Sequence, residues 1–286
     1  GGAEVFRARR PTEQERGYAA IVERIRDMVG EAERAVGPAI TVGIGTPGSV
    51  SPESGLLRNS NTVCLHDRPL ASDLARALGK EVRLANDADC FALSEATDGA
   101  GAGAPTVFGV ILGTGTGAGV VVRGALLGGP NAIAGEWGHN PLPSPRDDER
   151  PGPACHCGRR GCVETWISGP ALSRDHEERT GQPRSAEEIG AAARGGDTFP
   201  FATLGRHADR VARSLALVVN VLDPHVVVLG GGVGQTPGLV ERVSAALPAY
   251  VFSDCVRTRL VRPRFGDASG VRGAAWLGRG APASEA

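Results

Sequence analysis

The chain has 286 residues and a formal net charge of -1, so it carries no basic footprint for nucleic acid or an anionic membrane surface. No apolar run is long enough to span a bilayer, and the start does not read as a signal peptide, which argues against a helical membrane protein. Its 42 glycines and 20 prolines fall short of a low-complexity composition and cluster at turns between apolar strands, predicting a globular α/β protein of two lobes.

Gly1-Gly2 reads as a turn, followed by a short strand around Val5. A helix is expected from near Thr12, with Glu13 and Glu15 in the first turn, where the helix dipole favours acids. Ile21, Val22, Ile25, Met28, Val29 and Ala32 then recur at helical spacing. Residues 40–44 predict a buried strand closed by Gly45-Thr46-Pro47-Gly48-Ser49. A hairpin-like stretch at Gly55-Leu56-Leu57 leads to Arg58-Asn59-Ser60-Asn61. A short helix over 70–78, a strand at Val82-Arg83-Leu84 ending at Asn86-Asp87, and a helix from Ala88 to about Asp98 follow.

Residues 99–105, Gly-Ala-Gly-Ala-Gly-Ala-Pro, read as a flexible linker. They place the lobe boundary there: 1–104 and 105–268, with a C-terminal helix at 269–286 packing back on the first lobe. Val107 to Leu112 and Ala118 to Val122 are strands joined by Gly113-Thr114-Gly115-Thr116-Gly117. Strand, turn and strand make a hairpin, against a dinucleotide-binding glycine motif, which requires a helix next. Later come a long helix ending at Leu222, the strand 226–229, a turn at Gly230-Gly231-Gly232 and a short helix over 269–277. Strands alternating with helices imply a parallel or mixed sheet in each lobe.

Of six cysteines, Cys155, Cys157 and Cys162 fall within eight residues, whereas Cys64, Cys90 and Cys255 are scattered. A reduced, cytoplasmic protein with a metal cluster fits this better than a secreted disulfide framework. With His139 the three thiols form a Cys3His set suited to tetrahedral Zn2+, closed to substrate and therefore structural. His156 is a competing ligand ranked below His139. Glu136 and Glu164 flank the stretch as polar groups near a metal-stapled loop. Asn86-Asp87 stands where α/β sheets open into ligand crevices, although Asp87 also suits a helix cap. Gly113 to Gly117 offers backbone N–H groups and the Thr114 and Thr116 hydroxyls to a phosphate, or is an ordinary hairpin turn. Gly230 to Gly232 is ambiguous in the same way.

Together these residues resemble the ROK family of bacterial sugar kinases and related repressors. The matches are Glu136-x-Gly138-His139, Cys155-x-Cys157-Gly158-x-x-Gly161-Cys162-x-Glu164, Asn86-Asp87 and Gly113-Thr114-Gly115. Residues 135–143, 84–96 and 269–277 look most like bacterial fructokinases of the manno(fructo)kinase type. The resemblance implies an actin-like, ribonuclease H-like two-lobed ATPase fold with a hexose and ATP in the cleft and Mg2+ on the phosphates. It implies Asp87 as the general base that activates the sugar hydroxyl, expected at C6, and Asn61, Asn86, Glu136, His139 and Glu164 as sugar ligands. Gly113, Thr114 and Gly115 would cradle phosphates, and Gly231 and Gly232 would approach the adenosine. Fructose is the expected substrate, with mannose or glucose behind it, and a homodimer is what the family suggests. The family's N-terminal Asp-x-Gly-Gly-Thr phosphate loop has no match here, so an incomplete first lobe is expected, with activity of the chain in doubt. A sugar-sensing repressor fragment or a non-catalytic sugar-binding protein are the alternatives; no helix-turn-helix segment is visible.

Overall fold

Helix α1 (Tyr18–Val36) turns Ile21, Val22 and Ile25 onto Leu57, Leu70 and Leu74, and this cluster is the core of the first lobe. The computed structural model describes residues 3–279; Gly1-Gly2 and 280–286, the end of the expected C-terminal helix, lie outside the described residues. Helix α1 starts later than the composition near Thr12 predicts because Gly17 interrupts the chain with φ 83. Glu13, expected in the first helical turn, has φ 48 and pairs instead with Arg16 and Arg24. The strand expected around Val5 does not form, since a strand needs a hydrogen-bonding neighbour. Val5 and Phe6 instead border an apolar groove of about 650 Å3 with Ile25, Met28, Ile44 and Trp276.

Strands β1 (Thr41–Thr46), β2 (Ser49–Val50) and β3 (Leu57–Arg58) precede helix α2 (Leu70–Leu78) and strand β4 (Glu81–Asn86). β1 and β4 pair in parallel from Thr41↔Glu81 to Thr46↔Asn86, so both end at one edge; β2 and β3 form a small hairpin. Ile40, expected inside the first of these strands, stands exposed ahead of it. Helix α3 (Asp87–Thr97) then starts directly from the end of β4 and buries Cys90 through Glu95.

The larger sheet opens with β5 (Thr106–Leu112), β6 (Thr116–Val122) and β7 (Ala125–Leu126). After the cysteine segment come α4 (Glu164–Ile167), α5 (Gly169–Thr180), α6 (Ala186–Arg194), α7 (Thr198–Leu222), β8 (Val226–Gly230), α8 (Gly231–Gly234), α9 (Leu239–Ala246) and β9 (Arg259–Val261). The five strands make one mixed sheet in the order β7-β6-β5-β8-β9, with β5, β8 and β9 parallel. Alternation along β8 sorts its two faces. Val227 and Leu229 join Val211 and Leu215 of α7, while Val226 and Val228 meet Phe91 and Ala92 of α3.

Helix α10 (Ser269–Gly278) covers the other side of α3, which explains why α3 is buried over most of its length, Ser94 and Glu95 included. Two glycines allow this layering. A Cβ at Gly119 would lie 2.7 Å from the Ala88 carbonyl, and one at Gly273 only 1.6 Å from the Cys90 carbonyl. Residues 99–104 are not the free linker that their composition suggests. Gly101 donates to the Glu95 carbonyl (2.9 Å) and Ala100 to the Glu95 carboxylate (2.8 Å). That buried carboxylate also accepts the Arg264 N–H (3.0 Å) and the Ser269 hydroxyl (2.7 Å), so the turn is pinned to α10. Gly230 likewise leads straight into α8 rather than into a loop.

Candidate active site

Strand β6 is the platform on which the site is assembled. The first turn of α3 rests on Gly119, with Asp89 Cα 2.7 Å from where a Cβ would stand. Gly135, at φ 93, approaches so closely that its Cβ would be 2.0 Å from the Ala118 carbonyl, which sets Glu136 beside that turn. Gly138 packs on Thr116 in the same way and places His139.

Asn86 is the N-cap of α3: its Oδ1 accepts the Ala88 N–H at 2.8 Å, and its Nδ2 donates to the Gly48 carbonyl at 3.2 Å. The cap that local reasoning gave to Asp87 therefore rests first on Asn86, although the Asp87 carboxylate shares the Ala88 N–H at 2.8 Å. Gly48 also abuts the Arg58–Ser60 backbone, so the loop carrying the exposed Asn61 is tied to Asn86 through one glycine. Asp87 keeps solvent access at the start of α3 while protein crowds it from one side. Burial raises its pKa, and the backbone N–H groups of Ala88 and Asp87 pull the other way.

Asp89 was not anticipated from the sequence as a site residue. Burial pushes its carboxyl up to about 7 against the N–H of Asn86, and the Glu136 and Asp87 carboxylates add to the rise. Its signal was available in the spacing Asn86-x-x-Asp89, the reciprocal cap pattern in which the third helical residue reaches back to the cap N–H.

The sulfur and imidazole groups converge on the far side of Glu136. Ligand atoms of His139, Cys155, Cys157 and Cys162 all lie within 4.8 Å of one another. Cys157 and Cys162 Sγ are 3.6 Å apart, as are Cys155 Sγ and His139 Nδ1. Metal–thiolate bonds of about 2.3 Å give a tetrahedral edge of about 3.8 Å, so these residues can hold a metal ion. The Cys157 thiol is lowered to about 6, first by the Arg159 N–H and then by its guanidinium, which favours the ligating thiolate. His139 Nε2 points the other way, 3.9 Å from Glu136 Oε2. The approach to this loop is anchored by buried Glu149. Burial opposes ionisation there, but Arg213 and Arg210 bring its carboxyl down to about 2.

Glu164 ties the cysteine loop to the glycine hairpin. Its Oε2 accepts the Thr116 N–H at 2.9 Å and would be 2.8 Å from a Cβ at Gly115. Gly113 and Thr114 remain open at the tip, Gly113 with clear space beside its Cα. Gly231, at φ 80, presses on Leu112, with a Cβ 2.2 Å from that carbonyl. Because β5 and β8 are parallel neighbours, both glycine turns open at one end of the sheet, with Gly232 facing open space. A backbone-lined surface of this kind accepts phosphate oxygens without side-chain obstruction.

Two lobes of α/β structure closing over such a cleft define the actin-like ATPase fold. The chain belongs to the ROK family, whose model matches residues 2–281. It is 37% identical over 277 residues to an N-acetyl-D-glucosamine kinase of Yersinia pseudotuberculosis, covering 96% of this chain and 91% of that one. The ROK hexokinase structure from Thermus thermophilus shares 34% identity at TM-score 0.83, over 94% of this chain and 89% of its own. A ROK glucokinase from Streptomyces griseus, in complex with glucose and AMPPNP, shares 26% identity at TM-score 0.77, over 92% and 88%. None of these three names fructose, the sugar that the sequence resemblance put first.

Proposed function

We propose that this chain transfers the γ-phosphoryl group of ATP to a hydroxyl of a hexose, with N-acetylglucosamine as the leading substrate. The observation that carries this reading is the meeting on β6 of Asp87, Glu136 and the Gly113–Gly115 hairpin. Sugar hydroxyls need acceptors, which the Asp87 and Glu136 carboxylates offer; phosphates need open N–H groups, which here would be those of Thr114 and Gly115, since the Gly113 N–H is held by the Gly115 carbonyl at 3.0 Å. The Yersinia relative's name favours N-acetylglucosamine, and the glucose-bound Streptomyces griseus structure favours glucose as second choice. Fructose ranks after them.

Asp87 would take the proton from the attacking hydroxyl, that on C6, as the hydroxyl oxygen forms its bond to phosphorus and ADP leaves. Its raised pKa makes it a better base than an unperturbed aspartate, and the helix N–H groups hold it in place. Glu136, His139 Nε2, Glu164, Asn86 and, from the first lobe, Asn61 would bind the other hydroxyls. Asn86 would do so with its remaining N–H and lone pair. Gly113, Thr114 and Gly115 would face the phosphates, and Gly231 and Gly232 the adenosine. Bound Mg2+ would neutralise phosphate charge. His139, Cys155, Cys157 and Cys162 would hold Zn2+, whose role with four protein ligands is structural. The same reading carries lobes divided near residue 104 and a cytoplasmic homodimer, the latter checked by light scattering and cell fractionation.

The test is sugar-dependent ADP release with N-acetylglucosamine, glucose, mannose and fructose in parallel. It is run on this chain and on the chain with any residues its gene encodes ahead of Gly1. Asp87→Asn should lower turnover by about 10²–10⁴-fold while leaving sugar affinity intact. Turnover retained in that variant removes Asp87 as the base, and no turnover with any hexose removes the kinase reading.

A further inference from the structure

His156 stands between two of the thiol residues yet is not a member of their ligand set. Its ring is 71% exposed, and exposed histidines ordinarily point to solvent. This one is held on two sides. Its Nδ1 lies 3.2 Å from Glu164 Oε1, and its ring packs edge-on against His139 with centroids 4.9 Å apart. The same Nδ1 is 4.0 Å from Cys155 Sγ, longer than the His139 contact to that sulfur.

Glu164 is only 17% exposed, and its two oxygens serve different elements. Oε2 accepts the Thr116 N–H, the first residue of β6 and the end of the glycine hairpin. Oε1 is covered by His156. With no partner on Oε1 the carboxylate is free to rotate and to release Thr116, because one hydrogen bond does not fix a carboxylate plane.

We propose that His156 is a positioning residue: by donating from Nδ1 to Glu164 Oε1 it fixes the carboxylate that joins the sugar side of the cleft to the glycine hairpin. This deepens the kinase reading and rests on it for its sugar arm. A hydroxyl binding at Oε1 then meets an oriented acceptor, and its arrival is felt at the Thr116 N–H through the same carboxylate. Sugar and nucleotide binding are thereby coupled across about one side chain.

The experiment compares the intact chain with His156→Ala and His156→Asn, since asparagine retains an N–H donor at nearly the Nδ1 position. Metal content, hydrogen exchange at the Thr116 amide, N-acetylglucosamine affinity, and the effect of sugar on ADP affinity are measured for each. In His156→Ala the Thr116 amide should exchange several-fold faster, sugar affinity should fall about 5-fold, matching one surface-to-partly-buried charged contact, and the sugar–ADP coupling should shrink. Metal stoichiometry should stay as in the parent, and His156→Asn should restore exchange protection and most of the affinity. Unchanged exchange in His156→Ala overturns the proposal, as does loss of metal, which would make His156 a ligand. A parent chain that binds no hexose defeats the kinase reading, and the Thr116 exchange arm still decides the positioning role.

Discussion

Replacing Asp89 by Asn tests whether the cleft holds a buried carboxylate against two others. Asparagine keeps the shape and an oxygen to accept the Asn86 N–H, so what is removed is the charge. In the fold this carboxyl ionises at about 7 instead of the usual 3.8. At about 1.4 kcal/mol per pH unit, that gap is worth at most about 4 kcal/mol, and water in the cleft brings the expected value nearer 2 kcal/mol. The sign follows from proton uptake. Between pH 3.8 and about 7 the folded chain holds a proton that the unfolded chain has lost, so this site's contribution falls as pH rises through the window. Asp89→Asn should therefore match the parent near pH 4 and exceed it by about 2 kcal/mol at pH 8, read from urea unfolding at each pH. The groups facing Asp89 are Glu136 and Asp87, and neither is altered by the substitution. A parent-to-variant difference that stays flat from pH 4 to pH 8, or a variant less stable at pH 8, would refute the account.

Two further outcomes are expected. Cys157→Ser should reduce bound metal well below the roughly one ion per chain expected of a Cys3His set, and should weaken sugar affinity because the loop carrying His139 and Glu164 loses its staple; elemental analysis with calorimetry checks both. Glu95→Ala should cost about 3 kcal/mol in denaturant unfolding, since it strands the buried Ser269 hydroxyl and the part-buried N–H groups of Ala100 and Arg264. Faster exchange over residues 99–104 in that variant would show that the turn is pinned by Glu95, and a loss below about 1 kcal/mol would count against it.

The periodic elements were legible because they depend on neighbours in sequence. Helix α2 occupies 70–78 as its pattern predicts, the β5–β6 hairpin forms around its glycine turn, and the strand ending at Asn86 runs into α3. The cysteine spacing brought three thiols together for the same local reason. Errors fell where a distant partner decides. The strand near Val5 lacks a hydrogen-bonding neighbour among the described residues. The alanine–glycine run, free by composition, is held by Glu95 and α10.

Within the site, sequence by itself determined which residue types were present: carboxylates after a strand, glycines at two strand ends, thiols and imidazoles in one loop. Only the tertiary structure decided their use. It tied the Asn86 side chain to the Gly48 carbonyl, buried Asp89 beside Glu136, and committed one oxygen of Glu164 to Thr116. Each of these depends on a through-space approach between residues about 40 to nearly 50 positions apart, and such approaches are set by which backbones can touch, which here means where glycine leaves room.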